Sequence, residues 1–212
     1  MNIEVLEDAA AVAAAAADWV SRGMAGGGTL VLAGGGTPRR CYELLDADSL
    51  PWGRVTVLFG DERCVPPDDE ESNFRMAREA LLDRVRPLSV HRMPGELVPE
   101  EGAELYARIV EPLRPLDLVL LGMGPDGHTA SLFPGHQGLH AAGSAIAVHD
   151  SPKPPPDRVS LTLEVLQEAR QVLMLVAGAG KRDAVARARR GEVPAGMVPQ
   201  ATWLIDRAAA PA

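Results

Sequence analysis

Residues 116–121 form a strongly apolar run broken only by Asp117, and the chain passes from it straight into Gly122-Met-Gly-Pro-Asp-Gly-His-Thr-Ala-Ser-Leu-Phe-Pro134. A short apolar run bounded by turn residues reads as a buried strand. Glycines at 122, 124 and 127 let the backbone turn sharply behind it and leave the main chain open to a ligand. In an open α/β sheet this is the carboxyl end of a strand, where ligands bind. The polar residues delivered there are Asp126, His128, Thr129 and Ser131, and a helix-like run is expected after the histidine.

Units of strand, loop and helix recur along the chain. Residues 6–22 are alanine-rich and end at Gly23, which predicts a helix. The run 29–33 reads as a strand, followed by Gly34-Gly-Gly-Thr-Pro38 and a helix over 39–45, with Thr37 placed to cap it and Pro38 suited to its first turn. Residues 55–59 form a further strand, ending in the polar loop 60–67. Ser72 is a helix cap ahead of Phe74, Ala77, Leu81, Leu82 and Val85, which repeat at helical spacing. A short strand is expected over 89–93, and a helix over 99–110 that Pro112 and Pro115 stop. Later strands are expected over 145–148, 158–163, 171–177 and 202–205, and a basic helix opens at Gly178-Ala-Gly-Lys181 and runs to Arg190. The proline-rich stretch 151–156 is a stiff loop within the domain. This alternation predicts one α/β domain over residues 1–212, with a doubly wound, mainly parallel sheet and helices on both faces.

The net charge of −8 argues against nucleic acid as the main partner, because a phosphate backbone needs a basic face. It leaves room for a small phosphorylated ligand, which needs only a few cations and amides. Two cysteines, Cys41 and Cys64, make neither a disulfide framework nor a zinc pattern. Glu4, Glu7 and Asp8 ahead of the alanine run are the wrong polarity for a signal peptide, and no apolar stretch reaches membrane-span length, so a cytoplasmic location is expected.

The loop at Gly35, Gly36 and Thr37 offers adjacent amides at a helix N-terminus, a setting that binds phosphate, although many such turns bind nothing. It has neither the dinucleotide fingerprint nor a Gly-Lys-Ser/Thr sequence, which favours a sugar phosphate over a nucleotide. Asp61, Glu62 and Arg63 directly follow a strand. They are either a solvated cluster or a group in which Arg63 takes phosphate while the acids order it or meet sugar hydroxyls. Lys181 reaches either solvent or an anion. His128 differs from His91, His136, His140 and His149 in following a glycine and lying two residues after Asp126. An ordinary pKa of about 6.5 suits a general base near neutrality. Asp126 and His128 supply at most two ligands to a metal, and no others are identifiable. No Gly-x-Ser-x-Gly elbow supports a serine hydrolase.

Taken together, Gly34-Gly-Gly-Thr-Pro38, Gly60-Asp-Glu-Arg63, Ser72-Asn73, the stretch 122–135, Lys153-Pro-Pro-Pro156 with Arg158-Val-Ser-Leu-Thr162, and Gly180-Lys-Arg182 resemble the 6-phosphogluconolactonase family over nearly the whole chain. The resemblance implies hydrolysis of 6-phosphoglucono-1,5-lactone in the oxidative pentose phosphate pathway, without cofactor or metal, on a Rossmann-like fold similar to glucosamine-6-phosphate deaminase. It implies that His128 activates water, with Asp126 orienting it. Gly35, Gly36, Thr37, Arg63 and Lys181 would hold the phosphate, with Asp61, Asn73 and Arg158 as further substrate contacts. The expected partner is the sugar-phosphate lactone, with no nucleic acid or membrane, and the expected state is a monomer or weak homodimer. Gly36 stands where the family often has serine, which removes a hydroxyl contact, and Pro125 stiffens the histidine loop.

The nearest competing activity, an aminosugar-phosphate deaminase/isomerase, needs an acidic proton shuttle. Related enzymes carry an Asn-Glu-Pro-like segment after their histidine, whereas here Ser131-Leu-Phe-Pro134 has no carboxylate. A sugar-phosphate sensor of a transcription regulator would need a DNA-binding module, for which this acidic chain has no room.

Overall fold

The computed structural model describes residues 1–211. In chain order the elements are β1 (Asn2–Leu6), α1 (Ala9–Gly23), β2 (Gly28–Leu32), α2 (Gly36–Leu44), β3 (Val55–Phe59), β4 (Asp61–Arg63), α3 (Asn73–Ala77, continuing as a π-helical turn Arg78–Leu82), β5 (Ser89–Val90) and α4 (Pro99–Val110). They are followed by β6 (Leu118–Gly122), β7 (Ala145–Val148), β8 (Arg158–Leu161), α5 (Leu163–Glu168), β9 (Gln171–Val176), α6 (Arg182–Arg189) and β10 (Thr202–Asp206). Seven strands form a parallel sheet in the order β1-β10-β9-β6-β2-β3-β5, with helices on both faces. A separate antiparallel sheet, β4-β8-β7, lies against α4. No helix among the described residues is long and apolar enough to cross a membrane.

The apolar run ahead of Gly122 is the middle strand of the sheet, β6. Leu118 to Leu121 are fully buried, as expected of a strand covered on both faces. Asp117, its one charge, ties strand starts together: its carboxylate accepts from the Thr29 amide at 2.9 Å, and its own amide donates to Thr29 Oγ1 at 2.7 Å. Gly28, at φ +120°, passes so close that a Cβ would sit 2.5 Å from that carboxylate. The two tyrosines perform matching tasks at the other end. Tyr42 of α2 donates to the Ala33 carbonyl and accepts the Ala33 amide (2.9 and 2.8 Å), and Tyr106 of α4 does the same for Phe59 (3.0 and 2.8 Å). The ends of β2 and β3 are thereby pinned just before their loops leave the carboxyl edge of the sheet.

Five local expectations are corrected. The chain begins with a strand, not a helix at Leu6. β1 lies at the sheet edge with Val5 52% exposed, so its alternation is weak, and its pairing partner β10 is the last strand of the chain. Helix α1 starts after Asp8, whose side chain accepts the Ala11 amide at 2.9 Å. Thr37 does not cap α2; Gly35 occupies the cap position, at φ 109°, with no side-chain bond to the helix. The loop after β3 contains β4, which pairs with β8 about a hundred residues on. Thr162 ends β8 and caps α5, where strand was expected to continue to Leu163. No helix follows His128: residues 129–135 are irregular, with Ala130 at φ 47° and a bridge between Thr129 and Leu132.

Candidate active site

The connection from β2 runs outward to β3 and β5, then returns across the sheet to β6 on the other side of β2. The loops after β2 and β6 therefore diverge at the point where strand order reverses, and a crevice opens between them. A cleft of about 600 Å³ occupies this place. Its walls include the Gly34–Pro38 loop, Asp61 and Arg63 of β4, the ends of β6, β9 and β10, His128, and the proline-rich loop ahead of β8.

His128 is held on three sides. Its Nδ1 lies 2.6 Å from Asp126 Oδ1, its ring packs against Phe133 with centroids 4.6 Å apart, and the loop turns beneath it through Gly124 and Gly127. A Cβ at Gly124 would stand 2.1–2.2 Å from the imidazole, so only glycine admits the ring there. The Gly124 amide donates to the His128 carbonyl at 2.9 Å, and Thr129 Oγ1 to the Gly122 carbonyl at 2.9 Å, which close the loop on itself. With Asp126 accepting at Nδ1, the proton sits on that nitrogen and Nε2 keeps its lone pair. Among the described residues Nε2 has no hydrogen-bond partner, and His128 faces the cleft. Burial pushes the imidazole below its ordinary pKa, outweighing the opposing pull of Asp126. Burial would raise the Asp126 carboxyl, but His128 holds it below the usual range. At neutral pH the pair is a neutral imidazole and a carboxylate. Asp126 does not line the cleft; it stands behind the histidine.

The other expected residues all reach the cleft wall, in different conditions. Gly35, Gly36 and Thr37 present the N-terminus of α2, whose first amides have no intrahelical acceptor. Gly34 is forced by crowding: a Cβ there would lie 2.0 Å from Asn73 Oδ1. Asp61 is buried and already engaged, accepting Ser131 Oγ at 2.6 Å and Asn73 Nδ2 at 3.2 Å. Asn73 also donates to the Asp61 carbonyl at 2.9 Å. These two residues brace β4 against the histidine loop and α3. Glu62 turns away: it accepts the amides of Arg63, Asn73 and Phe74 at 2.7–2.8 Å, and burial raises its pKa. Arg63 donates from Nη1 to the Glu71 carbonyl, and its buried Nε has no partner among the described residues. Lys181 donates to the Met123 carbonyl at 2.7 Å, and burial together with the nearby Lys153 lowers its pKa. Arg158 is spent on the proline-rich loop, donating to the carbonyls of Lys153, Pro154 and Pro155 at 3.0–3.2 Å.

Three charged wall residues were given no role from the sequence. Arg40 lies one turn into α2, Lys153 on the proline-rich loop, and Asp206 at the end of β10, where it accepts the Gly178 amide at 2.9 Å. Lys153 had a signal, a cation in a stiff Pro-rich segment; Arg40 and Asp206 had none, since a surface arginine and a strand-end acid are commonplace. No cluster of three or more acidic, histidine or cysteine side chains among the described residues is arranged to hold a metal ion.

Residues 4–205 match the model of a family described as glucosamine-6-phosphate isomerases/6-phosphogluconolactonase. The chain belongs to this family. A 6-phosphogluconolactonase of Mycobacterium tuberculosis is 41% identical over 207 residues, covering 85% of this chain and 83% of its own length, and one from Synechocystis is 38% identical over 203 residues, covering 87% and 84%. The crystal structure of the Thermotoga maritima 6-phosphogluconolactonase superposes with a TM-score of 0.89 at 32% identity, covering 97% of this chain and 99% of that one. A monomeric glucosamine-6-phosphate deaminase, at 21% identity and a TM-score of 0.87, shares the fold. In this family member the residue packed on the histidine is Phe133, and the segment around it carries no acid.

Proposed function

We propose that the chain is a 6-phosphogluconolactonase, hydrolysing 6-phospho-D-glucono-1,5-lactone to 6-phospho-D-gluconate in the oxidative pentose phosphate pathway. The observation that carries this reading is His128: a neutral imidazole, its Nδ1 proton directed at Asp126, opens its basic Nε2 into a cleft of sugar-phosphate size that is rich in cations. The reading treats residues 1–212 as one unit, since Ala9 and Asp206 from opposite ends of the chain meet in that cleft. The fold and substrate fit a cytoplasmic enzyme.

The phosphate is assigned to the α2 N-terminus at Gly35, Gly36 and Thr37 together with Lys181 and Arg63. Helix amides there point outward and favour an anion, and the unpartnered Arg63 Nε is a buried donor in want of an acceptor. Anchoring the distant phosphate turns attack at C1 into a positioned, effectively unimolecular step. His128 Nε2 takes a proton from water as the water oxygen bonds to C1, and the carbonyl electron pair moves onto its oxygen. Collapse of that intermediate breaks the bond from C1 to the ring oxygen, which receives the proton from His128; the acid then ionises to solvent. Asp126 fixes the tautomer and steadies the transient imidazolium. The carboxylate that deamination requires after the histidine is absent from Ser131-Leu-Phe-Pro134.

Freshly generated 6-phosphogluconolactone should disappear faster with the protein than by spontaneous hydrolysis. Glucosamine 6-phosphate should yield no ammonia, and its release would move the assignment to deaminase. Sugar-phosphate binding without faster lactone decay would mark a sensor.

A further inference from the structure

The reaction just described creates negative charge on the lactone carbonyl oxygen, and neither His128 nor Asp126 is able to donate to it in the neutral-imidazole, carboxylate state. Five cations border the cleft: Arg40, Arg63, Lys153, Arg158 and Lys181. Arg63 is engaged with Glu71, Arg158 with three main-chain carbonyls, and Lys181 with the Met123 carbonyl. Arg40 is exposed on α2, at the glycine-loop end. Lys153 differs. Its side chain has no hydrogen-bond or ion-pair partner among the described residues, it is half-buried at the cleft wall, and its charge bears on His128, Asp126 and Lys181.

The loop that carries Lys153 is built to stay in place. Arg158, 4% exposed, clamps the carbonyls of residues 153, 154 and 155. Ser151 Oγ donates to the Lys153 carbonyl at 3.0 Å and accepts its amide at 3.3 Å, and the Ser151 amide donates to the Pro156 carbonyl at 3.0 Å. Three consecutive prolines stiffen the segment further. The main chain around Lys153 is thus fixed by other residues, and its ammonium is left uncommitted in the cleft that it shares with the base.

We propose that Lys153 is a catalytic residue of the lactonase reaction, donating a hydrogen bond to the carbonyl oxygen of C1 as it becomes an oxyanion, with Arg158 the positioning residue that holds its loop. This rests on the lactonase reading and adds to it the group that stabilises the developing charge. Lys153 transfers no proton: it binds the oxyanion while the water proton passes to His128 and then to the ring oxygen. The same ammonium faces the product carboxylate. A fixed donor aimed at charge that appears only in the transition state acts on kcat, and loss of one such donor costs about 10²–10³-fold.

The test is steady-state lactone hydrolysis by the wild type, Lys153→Met and Lys153→Arg, with the inhibition constant of inorganic phosphate measured on each. Lys153→Met is expected to lose about 100-fold or more in kcat, Lys153→Arg to recover a substantial part, and the phosphate inhibition constant to stay within about twofold. Unchanged kcat in Lys153→Met overturns the assignment. So does phosphate inhibition that weakens in step with kcat/KM, which would make Lys153 a phosphate ligand. Thermal melting checks that each variant is folded. If Lys153→Met melts early, Lys153→Gln against Lys153→Arg, assayed below both transitions, decides by the same criteria. Lactone decay unaltered by the wild type sinks the lactonase reading itself, whereas wild-type turnover with an unimpaired Lys153→Met sinks this assignment alone.

Discussion

Two glycine-rich loops meet at the switch point of the sheet, and they work by opposite means. The loop after β2 has Gly35 at φ 109°, runs directly into α2, and offers main-chain amides with no side-chain cap. The loop after β6 enters no helix. It folds on itself through bonds from Gly124 to His128 and from Thr129 to Gly122, and it presents one side chain, His128, braced by Asp126 and Phe133. Glycine serves the first loop by exposing backbone and the second by making room for a ring. An anion can be held by fixed dipoles alone, whereas proton transfer needs a titratable group in one orientation. The first loop is therefore suited to anchoring and the second to chemistry.

That division can be broken by substitution. His128→Asn should lower kcat by about 10²–10⁴-fold with KM little changed, measured by lactone hydrolysis corrected for the spontaneous rate. Because burial holds the wild-type imidazole below its ordinary pKa, the neutral base is already complete at neutrality. The acid limb of kcat/KM should accordingly fall below pH ~6.5, and a limb centred above that value would contradict the stated protonation state. The same depressed pKa means that the His128 contribution to stability is present above the unfolded value and is lost as pH falls through the folded one.

Gly124→Ala tests the histidine loop without touching the base. The new methyl would collide with the ring at 2.1–2.2 Å, so the imidazole must move. A displacement of about 1 Å costs on the order of 10²-fold in kcat. Gly35→Ala is the matching change in the other loop. No atom obstructs its Cβ closer than 3.9 Å, but a φ of 109° is strained for any L side chain by about 1–3 kcal/mol. Its effect should appear mainly as a rise in KM of roughly an order of magnitude, with kcat within a few-fold of wild type. A kcat loss as large as that of Gly124→Ala would erase the proposed distinction.

The smallest effect concerns a second histidine. His149 bridges Asp157 and Glu100, both at 2.8 Å, and these carboxylates raise its pKa. Its contribution is present below the ordinary histidine pKa and is lost as pH rises through the raised one, opposite in sign to His128. The side chain is 44% exposed, so the pair is screened and the gain is small. His149→Gln should lower the melting temperature slightly at acid pH, with the difference closing toward alkaline pH.

Much of this was legible in the chain itself. The Leu116–Leu121 run is the central strand, the glycine loops lie at strand ends, and His128 stands out by its neighbours Asp126 and Gly127. These signals are local: a run too apolar to lie at the surface, glycines where the backbone must turn, and an acid two residues from a base. Less legible were elements whose stability comes from distant partners. β1 depends on β10, which is two hundred residues away, and β4 depends on β8. The helix expected after His128 was wrong because Ala130 at φ 47° and the Thr129–Leu132 bridge answer to the loop's own closure, which overrides the preference of residues 129–133.

Sequence by itself determined the α/β order, the family, the two loops and the identity of the candidate base, because spacing and residue type carry that information. Only the tertiary structure decided what each polar side chain is free to do. Asp61 and Asn73 turn out to be braces, Glu62 a clamp on α3, and Arg158 a fastener of the proline-rich loop, while Lys153 emerges as a half-buried, uncommitted cation in the same cleft as His128. The physical reason is that a charged group's role depends on which partners already satisfy it and how far it is removed from water. Both are set by contacts between residues far apart in the chain.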